Sequence, residues 1–431
     1  MRIYDSSETE LVKQRLTRKP TTEENVVSVV KSILSDVAKR GDAALFEYTK
    51  KFDGFDVNKD NIRVSKNEIE DAYASVPPDL LETLKKSAAN ITAFHELQKR
   101  EGFRREAGGA VTGSLILPLG RAGVYVPGGK AAYPSSVLMN IIPAKIAGVG
   151  EIIMVTPPGR NGRIEPLVLV AADLAGADVI FKIGGAQAIA ALAYGTESVP
   201  KVDIITGPGN AYVAAAKREV FGEVGIDMIA GPSEVLIIAD ENANPTYVAA
   251  DFLSQAEHDE KAASVLLTPS REFAKNASAE IEHQLKSLPR KEIAEKSIED
   301  YGTIIITASL YEAFDIANDF APEHLEILTD DPWQYLGSIR NAGAVFLGEY
   351  SPEPLGDYFA GPNHILPTSG TARFSSPLSV DDFVKRTNYV CYDRQSLNAC
   401  YNDIKRFAES EGLIAHAKSA GIRFERMEDE K

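Results

Sequence analysis

The residues best suited to chemistry in this chain are its histidines, which are few and unevenly placed. The chain has six, and four of them stand in short segments beside carboxylates, amides or glycines. Imidazole is the commonest metal ligand in proteins, and its charge changes near neutral pH. The pattern therefore indicates a metal site with acid and base chemistry beside it. The four segments are Gln255-Ala256-Glu257-His258, Pro322-Glu323-His324, Gly361-Pro362-Asn363-His364 after Gly356-Asp357, and Glu411-Gly412-Leu413-Ile414-Ala415-His416.

A Gln-x-x-His pair is the first candidate for the metal. Gln255 and His258 are three residues apart near the end of a helix that the pattern predicts after Asn244-Pro245, so both side chains can reach one ion. Asp357 and His416 could complete the set of ligands. The alternative is a helix end at which Gln255 and His258 cap carbonyl groups, and the spacing alone favours that alternative.

The adjacent pair Glu323 and His324 is the candidate for proton transfer. It follows a helix-like segment at 310–320, where a helix is expected to give way to a loop. Neighbouring side chains point in different directions, so the two groups could serve two separate proton transfers. Without other context an exposed charged pair in a loop is favoured. The remaining histidines, His95 and His283, lie in charged helical sequence and are predicted to be surface residues.

Three glycine-rich turns indicate a ligand with phosphates. Each follows a candidate strand and precedes a helix, where backbone N–H groups of α/β proteins bind phosphate. None has the full G-x-G-x-x-G spacing, so plain turns are as good an interpretation for each alone, but three in succession favour a ligand along one sheet edge. Neither a P-loop nor a G-x-S-x-G motif occurs. The turns are Gly128-Gly129, Gly184-Gly185-Ala186-Gln187 and Gly207-Pro208-Gly209-Asn210.

The elements that must position these residues alternate between strand and helix. Residues 21–100 have helical periodicity, and β-branched runs then alternate with alanine-rich segments, which is typical of parallel βαβ units. A second alternation predicts a second, similar module. The stretch 348–376 is expected to be a long functional loop, and the chain beyond 381 is expected to be a helical tail broken at Gly412. The predicted strands are 123–127, 152–157, 179–183, 202–207, 234–239, 263–268, 303–307 and 342–347, and two of the predicted helices are 164–175 and 186–194.

Composition limits the class of protein. A chain of 431 residues is expected to form roughly two to four domains. Its 44% hydrophobic and 25% charged residues are ordinary for a globular protein, and the net charge of −16 argues against nucleic-acid or anionic-membrane partners. The two cysteines, Cys391 and Cys400, are expected to be free thiols. With no signal or membrane segment in the pattern, a cytoplasmic protein is predicted.

Taken together, these segments resemble the histidinol dehydrogenase family of NAD-dependent zinc enzymes over nearly the whole chain. The stretches that carry the resemblance are GVYVPGG at 123–129, IGGAQAIAA at 183–191, GTESVPKVD at 195–203, GPGNAY at 207–212, AGPSEVL at 230–236, LSQAEH at 253–258, APEHL at 321–325 and GPNHILPT at 361–368. So many ordered segments do not agree by chance.

The resemblance implies roles for particular residues. It assigns one zinc ion per subunit to Gln255, His258, Asp357 and His416, and NAD contacts to Tyr125, Gln187 and Asn210. The four zinc ligands would also contact substrate, together with Ser233, His324, His364 and Glu411. Glu323 and His324 would be the catalytic pair. The implied assembly is a homodimer in which the tail crosses over, so that Glu411 and His416 serve the partner's site.

The resemblance also implies a fold. We expect an α/β protein with two incomplete Rossmann-like parallel-sheet domains, a helical N-terminal segment and a small C-terminal helical tail. The expected division is an N-terminal segment at 1–25, a zinc-bearing and catalytic domain at 26–124 with 234–380, an NAD-binding domain at 125–233, and the tail at 381–431.

The implied reaction is the oxidation of L-histidinol to L-histidine through L-histidinal, with two NAD and one water. His324 would accept the alcohol proton, and Glu323 would activate water for attack on the aldehyde. Three alternatives stay open at this point. One is a related zinc and NAD enzyme that oxidises another small alcohol, such as a sulfonated diol; the others are a zinc-dependent hydrolase and a non-catalytic metal-binding scaffold.

Overall fold

The computed structural model describes residues 1–18, 24–128 and 133–424. Within these residues the strands are β1 (Ile3–Asp5), β2 (Phe103–Ala107), β3 (Ala110–Pro118), β4 (Arg121–Tyr125), β5 (Glu151–Val155), β6 (Val179–Phe181), β7 (Ile204–Thr206), β8 (Gly225–Ile226), β9 (Glu234–Ala239), β10 (Ala263–Thr268), β11 (Thr303–Ile306), β12 (His324–Leu328), β13 (Ala344–Leu347) and β14 (Val384–Tyr392).

The α-helices of the same residues are α1 (Thr9–Leu16), α2 (Glu24–Arg40), α3 (Asp42–Asp53), α4 (Lys66–Ser75), α5 (Pro78–Glu96), α6 (Pro134–Ala147), α7 (Pro166–Ala175), α8 (Gly185–Tyr194), α9 (Ala211–Val220), α10 (Pro245–Ala256), α11 (Arg271–Leu285), α12 (Lys291–Tyr301), α13 (Leu310–Phe320), α14 (Glu353–Tyr358), α15 (Arg394–Ser410) and α16 (Ile414–Gly421). Short 3₁₀ helices span Pro332–Ser338, Thr371–Arg373 and Val380–Phe383. None of these helices is long and apolar enough to cross a membrane.

The first sheet has six parallel strands in the order β1-β11-β10-β9-β12-β13. Every residue of the central strand β9 is buried, as expected for a parallel sheet covered on both faces. Its side chains alternate between the two faces: Val235 and Ile237 pack in one hydrophobic cluster with α10 and α11, and Leu236 and Ile238 pack in the other with α13. The buried strands thus fix the register of the residues at their ends.

The second sheet has five parallel strands in the order β6-β5-β4-β7-β8. The helices α2, α8 and α9 cover one face, where Val30 and Ile189 pack against Tyr125. The helices α6 and α7 cover the other face, where Met139 and Val170 pack against Val124. The prediction of an α/β fold with two parallel sheets is confirmed.

The division of the chain among domains stays a prediction. Two elements, however, pack in a different sheet region from the one that this division implies. Helix α2 packs on the five-stranded sheet and β4 is the middle strand of that sheet, although the expected division places 26–124 with the zinc-bearing domain. An amphipathic helix shows from its sequence which face is buried, and not which sheet buries it.

The described residues form two compact units, and the second contains 100–118 and 384–424. In it β2, β3 and β14 form an antiparallel sheet in the order β14-β3-β2. The predicted C-terminal helical tail is confirmed by α15 and α16, but its first part, Val384–Tyr392, is a strand. Most of its side chains are exposed, so no alternation of apolar and polar residues signalled it. The predicted break at Gly412 is confirmed: it has a φ of 74° between α15 and α16.

Candidate active site

Glu323 and His324 lie at the amino end of β12, in the interior of the six-stranded sheet. Both are buried, with 7% and 4% of their surface exposed. The interpretation of this pair as an exposed pair in a loop is therefore wrong. Strand β12 begins at His324 and pairs with β9. The apolar side chains of Leu325 and Ile327, which follow in this strand, belong to the core.

The backbone of Glu234, the first residue of β9, contacts both side chains. Its N–H donates to Glu323 Oε2 at 2.9 Å, and its carbonyl oxygen lies 3.0 Å from His324 Nδ1. A carbonyl can only accept, so Nδ1 carries the proton and a neutral His324 has its lone pair on Nε2. That nitrogen is buried and has no hydrogen-bond partner among the described residues. Burial lowers the pKa of His324 to about 4, so the ring is neutral at pH 7 and able to accept a proton.

The pKa of Glu323 is shifted in the opposite direction from that of His324. Burial raises its pKa well above the usual range, and the nearby carboxylates of Glu234, Asp357 and Glu353 raise it further. The hydrogen bond from the Glu234 N–H opposes this shift only in part. A positive charge in the site would favour the ionised form of Glu323.

A buried group of possible metal ligands stands beside His324. One ligand atom each of His324, Glu353 and Asp357 lies within 4.8 Å of the others. Glu353 and Asp357 are one turn apart on α14 and share a hydrogen bond, and burial with that neighbour raises the pKa of Glu353 to about 9. The sequence analysis missed Glu353, because 348–376 was expected to be a loop. The i, i+4 spacing of two carboxylates was the signal that could have found it.

Behind Glu353 lies a further pair of buried carboxyl groups, which the sequence analysis also missed. Glu326 Oε1 accepts from the Glu353 N–H at 3.0 Å. Glu326 also shares a hydrogen bond with Asp251, and burial raises the pKa of Asp251 to about 6 and that of Glu326 well above its usual range. The acidic cluster therefore extends from α14 through β12 to α10.

Gln255 has the environment expected of a metal ligand. It lies in the last turn of α10 with 1% of its surface exposed, and neither its amide oxygen nor its amide nitrogen has a hydrogen-bond partner in the described part of the chain. It therefore caps no carbonyl. The preceding residue, Ser254, hydrogen-bonds Glu353 of the acidic cluster. Unpartnered buried polar atoms on Gln255, His324 and Glu353 fit a bound cation.

Two further predicted residues approach His324. His258, exposed in the turn after α10, and His364 both come close enough for their charges to lower the pKa of His324. His364 Nδ1 lies 2.9 Å from the carbonyl oxygen of Asp357, and its Nε2 lies 3.2 Å from Ser136 Oγ. Ser233 is half-buried immediately before β9. The structure thus gathers these predicted residues at one edge of the six-stranded sheet.

That edge is formed by the amino ends of the strands. Glu234, Ala263 and His324 each begin a strand and lie side by side. Ligands of open α/β sheets usually bind at the carboxyl ends. The general rule therefore does not predict a site at the amino ends of these strands.

Glu411 and His416 belong to the second compact unit. Glu411 follows the last residue of α15 and His416 lies in the first turn of α16, and both are exposed. Their assignment to substrate and zinc stays a prediction.

The three residues expected to contact NAD line one cavity of 1330 Å³ at the carboxyl edge of the five-stranded sheet. Tyr125 ends β4 and its hydroxyl accepts from the Gly185 N–H at 3.1 Å; burial raises the pKa of Tyr125 to about 12. Gln187 is buried in the first turn of α8, and its amide atoms have no partner among the described side chains and backbone. Asn210 caps α9 by accepting from the N–H groups of Tyr212 and Val213.

The turn that carries Asn210 is held by a buried ion pair. The N–H of Gly207 donates to Asp227 Oδ2 at 2.8 Å, and its carbonyl accepts from Lys217 Nζ at 2.8 Å. Lys217 and Asp227 also form an ion pair with both side chains almost fully buried. Gly207 has a φ of 107°, and a Cβ there would lie 2.1 Å from the Tyr125 carbonyl oxygen, so only glycine fits. Gly129, predicted to be part of another such turn, lies outside the described residues.

His95 corrects one expectation. The sequence analysis placed it on the surface, but it is fully buried, with Nδ1 2.9 Å from the Ile91 carbonyl and Nε2 3.3 Å from the Asn363 side chain. The sequence around His95 is charged, which suggested an exposed helix, but His95 lies on the face of the helix that packs against the core. His283 is exposed, as expected.

Comparisons with known proteins agree on one family. The family model described as "Histidinol dehydrogenase" matches residues 16–424. A protein of that name from Listeria monocytogenes serotype 4b is 54% identical over 427 residues, which covers 99% of each chain, and one from serovar 1/2a is 57% identical over 401 residues, with 93% of each covered. The crystal structure of histidinol dehydrogenase from Elizabethkingia anophelis is similar with a TM-score of 0.94 at 39% identity, covering 98% of each chain.

Proposed function

Because the chain belongs to the histidinol dehydrogenase family, we propose that it is the NAD-dependent enzyme that oxidises L-histidinol to L-histidine in histidine biosynthesis. The reaction consumes two NAD and one water and passes through L-histidinal. The observation that carries the proposal is the placement of His324, a neutral buried imidazole whose unpartnered Nε2 stands beside possible metal ligands.

His324 is the base of the alcohol oxidation. The carbonyl of Glu234 holds its Nδ1–H, so Nε2 accepts the hydroxyl proton as the substrate loses hydride. Its low pKa makes the ring a weak base, and the carboxylate of Asp357, which raises this pKa, would favour the imidazolium once the proton has moved.

Glu323 acts in the second oxidation. As a carboxylate it takes a proton from water, which then adds to the aldehyde, and the hydrate loses the second hydride. Glu323 Oε2 is fixed by the Glu234 N–H, which leaves Oε1 to contact water. The backbone of Glu234 contacts both side chains, but His324 takes its proton from the alcohol and Glu323 takes its proton from water. Adjacent residues are expected to be able to serve such separate roles.

Gln255, His258 and Asp357, with His416, are proposed to hold one zinc ion. The unpartnered amide of Gln255 and the buried carboxylates fit a cation, and nitrogen and oxygen ligands suit zinc. When bound, zinc supplies a positive charge that binds the nitrogen atoms of the substrate. Ser233, His364 and Glu411 are proposed to contact the rest of the substrate.

NAD is proposed to bind in the cavity that contains Tyr125, Gln187 and Asn210. The amino ends of α8 and α9 meet this cavity, and such helix ends favour phosphate groups. NAD supplies the hydride acceptor for both steps. The unpartnered amide of Gln187 is available to bind it.

The chain is further proposed to act as a cytoplasmic homodimer with shared sites, in which Glu411 and His416 of one subunit complete the site of the other. Their exposed position fits that role. A related enzyme for a sulfonated diol, a zinc hydrolase and a non-catalytic scaffold are not favoured, because relatives named histidinol dehydrogenase match nearly the whole chain.

The test is an assay of the purified protein with L-histidinol and NAD. Two NADH should form per histidinol, and a chelator should abolish activity until zinc is restored. Absence of NADH with histidinol would refute the proposal, and turnover of another alcohol alone would replace the substrate.

A further inference from the structure

Asp53, the last residue of α3, lines the same cavity as Tyr125, Gln187 and Asn210. It comes from a part of the chain far from the glycine-rich turns, and nothing in its sequence context marks it. Its oxygen Oδ2 is buried and has no hydrogen-bond partner within the described ranges. Burial raises the pKa of this carboxyl to about 6.

A buried carboxylate oxygen without a partner, on a residue that lines a ligand cavity, is unfavourable unless a donor reaches it when the ligand binds. A dinucleotide has two kinds of polar group that could contact Asp53, its phosphates and its ribose hydroxyls. Its phosphates carry negative charge and would repel the carboxylate, whereas its ribose hydroxyls are donors. Dinucleotide-binding folds use an acidic side chain against the ribose hydroxyls for this reason, and the same side chain disfavours a 2′-phosphate.

Arg160 and Arg163 also line the cavity. Arg160 lies close to Gly54, the residue after Asp53, since its Cγ is 3.5 Å from where a Cβ on Gly54 would stand. No ion pair between Asp53 and either arginine occurs in the described structure. Arg160 is therefore available for a phosphate, and Asp53 is the negative charge that opposes one.

We propose that Asp53 accepts hydrogen bonds from ribose hydroxyls of NAD and makes this enzyme discriminate against NADP. The inference rests on the proposed function, because it assumes that this cavity binds the nicotinamide cofactor. It adds a specificity-determining residue to the three contacts already assigned to NAD.

The experiment compares kcat/KM for NAD and for NADP, with L-histidinol saturating, in the wild type, Asp53→Asn and Asp53→Ser. Hydrogen bonds to charged groups contribute about 1.5–3 kcal/mol, so the preference for NAD should fall by about ten- to a hundredfold in both variants. The KM for histidinol and the zinc content should not change. The double variant Asp53→Asn with Arg160→Ala should lose the gain in NADP use.

The matched control is Asp56→Asn, three positions further on, where the carboxylate is exposed and paired with Lys50 at 2.9 Å. It should leave both cofactors unaffected. A ratio of NAD to NADP use that stays within twofold of wild type in the Asp53 variants would overturn the inference.

Titration of NAD and NADP into the zinc-loaded protein without histidinol separates this inference from the proposed function. If wild type binds NAD but does not oxidise histidinol, the substrate assignment fails and the Asp53 comparison still holds. If wild type oxidises histidinol and the Asp53 variants bind both cofactors as wild type does, only the inference about Asp53 fails.

Discussion

The guanidinium of Arg18 binds the carboxylate of Glu234 through two parallel hydrogen bonds, although 216 positions separate them in the sequence. Arg18 also donates to the Phe320 carbonyl at 2.7 Å and lies 3.9 Å above the Phe320 ring. Since the Glu234 backbone contacts both Glu323 and His324, this N-terminal arginine supports the residue that orients the proposed catalytic pair.

Replacing Arg18 should damage stability and turnover together. Arg18→Met leaves the buried Glu234 carboxylate without its charged partner, which is expected to lower the free energy of unfolding by about 3 kcal/mol. We expect kcat to fall more than tenfold, with the NAD KM unchanged. Urea denaturation and steady-state kinetics measure these effects.

The double variant Arg18→Met with Glu234→Gln serves as the control. Burial already raises the pKa of Glu234 despite Arg18, so the pair gains little over a neutral pair. The double variant should therefore be more stable than Arg18→Met. Equal stability of the two would show that the arginine acts through other contacts.

The ion pair around Gly207 should control cofactor binding. Asp227→Asn weakens the bond to the Gly207 N–H and the pair with Lys217, so the turn that carries Asn210 loses its fixed position. The NAD KM should rise about tenfold, because hydrogen bonds to charged groups contribute about 1.5–3 kcal/mol. The histidinol KM should stay constant. Glu223→Gln, which removes an exposed charge paired with Lys201, is the control, and an equal effect there would contradict the role of the turn.

The two oxidation steps should respond differently to Glu323→Gln. The glutamine oxygen can still accept from the Glu234 N–H, so the geometry of His324 is kept. Oxidation of histidinal should fall by about a hundredfold or more, as expected for loss of a general base, and aldehyde formation should fall less. Single-turnover measurements started from histidinol and from histidinal give the two rates. An equal loss in both would reject the division of roles.

The sequence predicted more of the fold than of the geometry of the candidate site. Strand runs such as Ala263–Thr268 were placed with their observed bounds, because a fully buried parallel strand is a continuous apolar run between turn residues. The glycine turns likewise indicated the cavity edge near Asn210. In contrast, the strand Val384–Tyr392 has most side chains exposed, and a strand without a buried face leaves no periodic signal.

Other residues could not be found because their roles depend on long-range packing. Arg18 and Asp53 reach sites built by segments far along the chain, and no local pattern connects them. Glu353 lies in a Pro/Gly-rich stretch, which is typical of a loop, so the sequence did not predict the short helix α14. The short histidine segments contained several residues of the candidate site, but only the packing of β9 against β12 shows that the backbone of Glu234 contacts both Glu323 and His324.

Asp53 should also make stability depend on pH. Its pKa is raised to about 6 in the folded protein from 3.8, so the folded state holds this proton more tightly than the unfolded state. Asp53 therefore stabilises the cofactor-free fold most below pH 4 and loses that contribution as the pH rises through 6. Within the described ranges, the other ionisable side chains that line the cavity are Arg160, Arg163, Glu165, Tyr125 and Tyr212.

Thermal unfolding of wild type and Asp53→Asn, measured from pH 4 to pH 8 without NAD, tests this. The melting temperature of the variant relative to wild type should rise between pH 4 and 6 and then level off, since asparagine does not ionise. Asp56→Asn should show no such trend, because Asp56 is exposed. A constant difference between wild type and Asp53→Asn would mean that this carboxyl is not buried in solution.

The proposed sharing of sites between two subunits predicts recovery of activity in mixed dimers. His416→Ala and Glu323→Ala are each expected to be inactive, because each removes one group from every site. In a mixed dimer, the site with an intact Glu323 receives His416 from the other subunit, so one of its two sites is complete. Random mixing of equal amounts makes half of the dimers mixed, and roughly a quarter of wild-type activity should return. Hybrids purified through two different tags should have roughly half of the wild-type activity, since one of their two sites is complete, and mixing Glu323→Ala with Glu323→Gln is the control that should recover nothing. Hybrids as inactive as their parents would show that Glu323 and His416 of the same chain build each site, and the exposed tail would then need another role.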